Sequence, residues 1–382
     1  MERVKLEELC EMKSGGTPRR SNAEYYGGDI PWCKISDIDK AVNGYIYDTE
    51  EKITEEGLKN IRNRVFKKDT LLLAMYGSVG KTAFISKEMS TNQAILGINV
   101  IDKNRLDVRY LKIWFDNIKE QLLNRAVGGT LQNISLGIVK DLEIPLPPLE
   151  EQKTIAEKLD HAQKIINLNE AEVARYDELT QALFIDMFGD PVQNPKGWEV
   201  KKLGDFGDWK AGGTPSRKIK NYFKGNIPWV SSGELNAKYI SSSNEHISKE
   251  ALENSSAKLI ATGSLLLGMY DTAALKSSIN TIELTCNQAI AFSKLKNINT
   301  IFVYHSIQYG KEHFKKNQRG VRQKNMNLSM IKNLEIPIPP ITLQNEFAKR
   351  IEQIEILKNQ AQQELKQSKN LFQSLLQESF KG

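Results

Sequence analysis

The stretch Ala74-Met75-Tyr76-Gly77-Ser78-Val79-Gly80-Lys81-Thr82 holds the ingredients of a phosphate cradle: glycines, then lysine and a hydroxyl. A phosphate loop also needs glycine where Met75 stands, so that backbone amides can wrap the anion, and the pattern fails there. The matching stretch Met269-Tyr270-Asp271-Thr272-Ala273-Ala274-Leu275-Lys276 lacks the glycines altogether. A strand-to-strand turn followed by an exposed lysine, Lys81 or Lys276, is the expectation for both. Adenine-N6 methyl transfer requires an Asn/Asp-Pro-Pro-aromatic loop, but the Pro-Pro pairs here follow Leu146 and Ile338. There is no Gly-x-Ser-x-Gly, no glycine-rich dinucleotide loop and no carboxylate pair in an acid/base setting. The carboxylates of 48–56 and 150–157 read as solvated faces. Three scattered cysteines (Cys10, Cys33, Cys286) and four histidines show no metal-ligand spacing. No catalytic residues and no metal site are expected.

Binding chemistry is better represented. Arg19-Arg20 and Arg217-Lys218 each follow Gly-Gly-Thr-Pro, a sequence that turns the chain sharply and presents a basic pair. Residues 313–325 carry Lys315, Lys316, Arg319, Arg322, Gln323, Lys324 and Asn325 around a glycine. Lysine and arginine suit phosphates, arginine suits guanine edges and Gln/Asn suit adenine edges, so this mixture points to duplex DNA. The counterpart, 125–133, keeps Arg125, Gln132 and Asn133 but has one arginine only. Such divergence within a shared frame fits two readers of different sequences. Asn92-Gln93 and Asn287-Gln288, identical in both copies, are expected to be structural, and Trp32 and Trp229 to lie in cores.

These residues sit in a tandem duplication, which self-comparison exposes. Gly15-Gly16-Thr17-Pro18 returns as Gly212-Gly213-Thr214-Pro215, Ile30-Pro31-Trp32 as Ile227-Pro228-Trp229, and Leu71–Tyr76 as Leu265–Tyr270. Asn92–Ile95 returns as Asn287–Ile290, and Leu142–Pro148 as Leu334–Pro340. Each copy begins with about 150 residues of short apolar, β-branched runs (70–85 and 94–101; 264–269 and 289–292). A helical pattern follows, over 108–123 and 301–314. The fold class is α+β.

Each copy ends in a long helix. Apolar residues recur at alternating four- and three-residue steps through Ile155, Leu159, Ala162, Ile166, Val173, Tyr176 and Leu183. They do so again through Phe347, Ile351, Ile354, Leu365, Phe372 and Leu375. Both are heptad seams with polar interruptions, and Gly189 with Pro191 stops the first. The expected organisation is a globular domain over 1–148, a helix over 149–190, a second domain over 191–340 and a second helix over 341–382. If the ends of the second globular block lie close together, connectivity makes the helices an antiparallel coiled coil separating two pseudo-two-fold-related heads; the alternative is two independent helices, each docked on its own domain.

The chain has 382 residues with 53 Lys/Arg and 47 Asp/Glu, net +6. Residues 1–148 hold 22 basic against 21 acidic groups (+1), whereas 197–340 hold 20 against 11 (+9). A polyanionic partner therefore suits the second head most directly. No apolar run is long enough for a membrane span, the first residues lack a secretory core, and the sparse odd cysteine count fits a reducing cytoplasm.

The combination of Gly-Gly-Thr-Pro…Ile-Pro-Trp near each domain start with Glu143-Ile144-Pro145-Leu146-Pro147-Pro148-Leu149-Glu150-Glu151-Gln152 before the helix resembles a known family. It is similar to the DNA specificity (S) subunits of type I restriction–modification systems, over essentially the whole chain. Glu335–Pro340 with Gln344 repeats the second motif. The resemblance implies two target recognition domains, each reading one half of a split DNA target, with helices that set the unread gap and dock partners. It implies two modification subunits that bind S-adenosylmethionine and methylate adenine, and ATP- and Mg-dependent restriction subunits. The chain itself would be non-catalytic and carry no cofactor. Rival readings are a coiled-coil scaffold for proteins, a nucleotide hydrolase using Lys81, and a specificity subunit serving a methyltransferase without a nuclease.

Overall fold

The computed structural model describes residues 2–125, 133–270, 273–317 and 325–381. The chain divides into two compact units, one comprising Met1–Asn169 with Glu364–Gly382 and the other Glu170–Gln363.

In the first unit a five-stranded sheet runs in the order Cys10–Ser14, Ile95–Val100, Leu71–Ala74, Thr82–Ile85, Tyr45–Ile46. The last pair is parallel and the others are antiparallel. The central strand Leu71–Ala74 is buried on both faces, which explains its unbroken apolar run. Leu71 and Leu73 pack with Tyr110, Leu111, Trp114 and Phe115 of the helix Val108–Asn117. Leu72 and Ala74 pack on the other side with Cys33, Ile38, Phe66 and Met89. A three-stranded sheet, Lys52–Ile53, Tyr26–Cys33, Ser90–Thr91, carries Trp32, and Arg3–Lys5 pairs with Glu143–Pro145. The helical pattern over 108–123 resolves into two helices, Val108–Asn117 and Lys119–Arg125. Ile118 donates to Trp114 and accepts from Leu122, so the i→i−4 ladder carries through the junction as a bend.

The second unit repeats this plan strand for strand. Its five-stranded sheet orders Lys210–Ala211, Ile290–Ser293, Leu265–Gly268, Ser277–Asn280, Tyr239–Ile240, again with only the last pair parallel. Glu245–Ile247, Ile227–Val230 and Thr285–Cys286 form the three-stranded sheet, and Glu199–Lys202 pairs with Glu335–Ile338. Thr300–Phe314 is a single helix here.

The long helices span Leu149–Phe188 and Ile341–Ser379. Gly189, at φ +80°, ends the first, its amide bonding Ile185. In the first unit Ala156 and Leu159 pack with Leu376 and Phe372, while Asn169 donates to the Ser368 hydroxyl at 3.0 Å. Rising numbers on one segment meet falling numbers on the other, so these segments run antiparallel. In the second unit Asp177 pairs with Lys358, and the Phe184 and Phe347 rings lie 5.5 Å apart, again antiparallel. Every heptad position named from the sequence lies on the buried or half-buried stripe: Ile155, Leu159, Ala162, Ile166, Val173, Tyr176 and Leu183, then Phe347, Ile351, Ile354, Leu365, Phe372 and Leu375.

Each helix is fastened to its own head at its first turn. Gln152 and Gln344 are buried, 0% and 1% exposed. Gln152 donates to Pro147 and Arg105 carbonyls and accepts the Asp107 amide. Gln344 donates to Pro339 and accepts the Asn299 amide. Asp107 and Asn299 in turn cap the helices Val108–Asn117 and Thr300–Phe314. The second unit has an additional strut: Lys238 reaches Glu355 on its helix at 2.6 Å, over the rings of Tyr239 and Tyr304. The equivalent position in the first unit is Gly44, and the space stands open as a cleft of about 630 Å³ lined by Tyr45, Phe84, Arg109 and Lys164.

Candidate nucleic-acid interface

The Gly-Gly-Thr-Pro loop lies flat against the Asn-Gln turn in both heads. Gly15 and Gly16 donate to Ile95 and Thr91 carbonyls at 3.0 and 2.8 Å, and Gly212 and Gly213 repeat this with Ile290 and Cys286 at 3.0 and 2.9 Å. A Cβ on Gly15 would stand 2.3 Å from the Asn92 carbonyl oxygen, and one on Gly212 2.4 Å from that of Asn287, so only glycine permits this approach. Thr17 and Thr214 donate to the side chains of Gln93 and Gln288. Asn92 and Asn287 each accept the amide two residues on at 3.1 Å. The Asn-Gln pairs are therefore part of the framework. Trp32 and Trp229 are buried, their indoles donating to Gly16 and Gly213 at 2.9 and 3.0 Å.

This packing decides what the following basic residues do. The Arg20 guanidinium lies 4.6 and 4.9 Å from the ring centroids of Tyr26 and Trp32 and bonds Glu51 at 2.7 Å. Arg217 does the same over Phe223 and Trp229, bidentate to Glu245. Cation–π stacking plus an ion pair orients both guanidiniums, whose side chains stay 55% and 54% exposed. Their hydrogen bonds hold the Glu51 and Glu245 carboxyls below the usual carboxylate range, with Lys34 adding to the effect at Glu51. Glu51 thus belongs to an ion network, unlike the solvated face expected of the 48–56 carboxylates. Its partner lies 31 residues away, and nothing local in the sequence marks the pairing. Arg19 and Lys218 are exposed.

Two further candidates, Lys81 and Lys276, stand at the turn leaving the central strand. Lys81 pairs with Asp39, and Lys276 donates to Asn236 at the corresponding place, 2.8 Å away. Lys315, at the end of the helix Thr300–Phe314, bonds Glu312 at 3.3 Å, and Lys316 is exposed. Lys311, not singled out in the sequence, sits among them. Burial, then the positive charges of Lys315 and Lys276, hold its ammonium below the ordinary lysine range. Arg125 lines a cavity of about 220 Å³ with Arg3, Asp141 and Glu143. Asn133 bridges to Tyr76 and Asn325 to Tyr270. Gln132, Arg319, Arg322, Gln323 and Lys324 lie outside the described residues. Among the described residues there is no His/Cys/Asp/Glu cluster able to hold a metal, and no helix is long and apolar enough to cross a membrane.

The type I specificity subunit MjaIX of Methanocaldococcus jannaschii is 28% identical over 94% of this chain and 88% of its own length. The EcoR124I/EcoR124II specificity subunit of Escherichia coli is 25% identical over 70% of this chain and 68% of its own. The same fold is found in the type I S subunit from M. genitalium, with a TM-score of 0.61 at 15% identity, covering 100% of this chain and 96% of that one. A chain from a structure of the type I R-M system gives a TM-score of 0.65 at 16% identity, covering 100% and 97%. The model of the type I restriction modification DNA specificity domain matches twice, over residues 1–178 and 195–367. With both copies of the domain present in tandem, the chain belongs to the type I restriction–modification DNA specificity family.

Proposed function

We propose that this chain is the DNA-reading subunit of a type I restriction–modification complex, each head recognising one half of a bipartite target. What carries the reading is that the specificity domain occurs twice and the same fold is built twice, with net charges of +1 over 1–148 and +9 over 197–340. The long helices, 40 and 39 residues and roughly 60 Å each at 1.5 Å per residue, set the gap between the half-targets. They also dock two modification subunits. S-adenosylmethionine, ATP and Mg are bound by the modification and restriction subunits, which perform the chemistry in the cytoplasm; this chain supplies the address.

The test is to co-express the chain with its modification subunit and map methyladenine across a genome. Replacing residues 1–148 with the first head of another family member should change one half of the methylated motif. Adding whole helical turns within 155–187, matched in the partner helix, should change only the gap. A swap that alters both halves, or an insertion that leaves the gap untouched, refutes the corresponding assignment.

A further inference from the structure

In both heads the same three side chains stand together at the turn that leaves the buried central strand. Met75 and Met269 are buried, but the next residues, Tyr76 and Tyr270, are 41% and 40% exposed. Their placement is fixed from three directions. The Met75 and Met269 amides bond Ala94 and Ala289 at 2.8 Å, and their carbonyls accept Ile134 and Met326 at 3.0 and 2.7 Å. The tyrosines themselves bridge to Asn133 and Asn325. The chain then passes through a left-handed residue, Gly80 (φ +84°) or Leu275 (φ +57°), and puts out Lys81 or Lys276. Matching bonds lock the adjacent helix to this turn: Thr82 donates to Asp116 at 2.8 Å, and Gln308 to the Ser277 hydroxyl at 2.5 Å. Three residues further along stand Lys119 and Lys311. Lys119 lies close enough that a Cβ on Gly80 would meet its Cγ at 2.9 Å. In the second head Lys276 and Lys315 lie near Lys311, with Glu312 answering Lys315 at 3.3 Å.

Contacts common to two heads cannot carry the difference between the sequences they read; they suit the backbone, which is the same everywhere. We propose that Tyr76, Lys81 and Lys119 in one head, and Tyr270, Lys276 and Lys311 in the other, form a sequence-independent grip on DNA phosphates. The lysines supply charge and the tyrosine hydroxyl donates a neutral hydrogen bond. The grip rests on the DNA-reading function proposed above and adds to it which residues hold the backbone.

The experiment measures binding of the full chain to two unrelated labelled duplexes by fluorescence anisotropy across a salt series. The paired variant Lys119→Gln/Lys311→Gln should weaken binding to both duplexes alike. Removing two phosphate contacts should also make the loss of affinity between about 50 and 200 mM salt roughly 12-fold smaller than in the wild type. Tyr76→Phe/Tyr270→Phe should weaken binding to both duplexes with the salt dependence unchanged, because no counterion is released by a neutral donor. Circular dichroism checks that each variant is folded. Variants that match the wild type in affinity and slope, or that lose affinity for one duplex only, overturn the grip while leaving DNA reading intact. A wild-type chain with no salt-dependent binding overturns DNA reading and the grip with it.

Discussion

Replacing Gln152 by methionine should destabilise the first unit by about 3 kcal/mol, a figure that follows from its three hydrogen bonds. The side chain accepts the Asp107 amide at 2.9 Å and donates to the Arg105 and Pro147 carbonyls at 2.9 and 2.8 Å. Methionine fills nearly the same volume but replaces none of these. The Pro147 bond is fully buried, and an orphaned buried acceptor costs about 1–3 kcal/mol. The Asp107 and Arg105 groups are only partly buried, so water recovers some of the loss, leaving about 0.5–1.5 kcal/mol each. Burying one more apolar group offsets roughly 1 kcal/mol. Hydrogen exchange at the Val108–Leu111 amides, in the helix that Asp107 caps, should accelerate about 100-fold, at 1.4 kcal/mol per tenfold. Gln344→Met, which removes two such side-chain bonds, should cost about 2 kcal/mol in the second unit. Gln152→Glu keeps the acceptor for Asp107 but turns a carboxylate toward two carbonyl oxygens. Its folded-state pKa rises above the unfolded value, so its deficit should narrow as pH falls. A Gln152→Met protein within about 0.5 kcal/mol of wild type would refute the claim that these bonds fasten head to helix.

His305 is buried against Phe347 with no partner for Nε2 among the described residues, and burial followed by the Lys238 charge depresses its pKa to about 3. A depressed folded value means that stability is complete above the unfolded pKa near 6.5 and erodes as pH falls toward 3. Wild type should therefore lose about 2 kcal/mol between pH 7 and 5 from this group. His305→Ile, the residue that the repeat places at Ile113, should remove that loss in urea titrations at the two pH values. Lys238→Met should cost about 1–2 kcal/mol by leaving the partly exposed Glu355 unpaired. Adding Glu355→Gln should recover part of it, and a double-mutant cycle with no coupling would remove the strut from the account.

The duplication, the α+β character and the two heptad helices are legible because each is written locally. Apolar spacing, glycine-proline punctuation and recurring motifs do not depend on distant partners. Gly189 with Pro191 marks a helix end without any knowledge of the heads. The fate of Arg20 and Arg217 is not legible in the same way. A basic pair after a tight turn reads as a free binding surface, yet Glu51, just before the strand Lys52–Ile53, and Glu245, opening the strand Glu245–Ile247, pair with the guanidiniums. Lys119 and Lys311 escape notice for the converse reason: each is one ordinary lysine until Thr82 registers the helix that ends just before Lys119, and Gln308 the helix that carries Lys311, against the strand turn. In the first head the preceding helix, Val108–Asn117, carries Lys112, whose charge is answered by Asp116.

The two heads also act as controls for one another, and their charge difference has a structural location. Net charge is +1 over 1–148 and +9 over 197–340. At the strand turn this appears as one replacement: the group facing the lysine is Asp39 in the first head and neutral Asn236 in the second. A phosphate approaching Lys81 must displace a carboxylate, whereas one approaching Lys276 displaces an amide. The lysines occupy the same position on the same fold, so the first head should take less of its affinity from counterion release and more from hydrogen bonds to bases. Asp39→Asn tests this directly, because it makes the first turn electrostatically like the second. It should tighten binding of the full chain at low salt and steepen the salt dependence by about one phosphate contact, roughly 0.9 in the logarithmic slope. An unchanged slope would mean that Lys81 stays out of reach of the backbone even when freed, and that the two heads approach DNA through different faces.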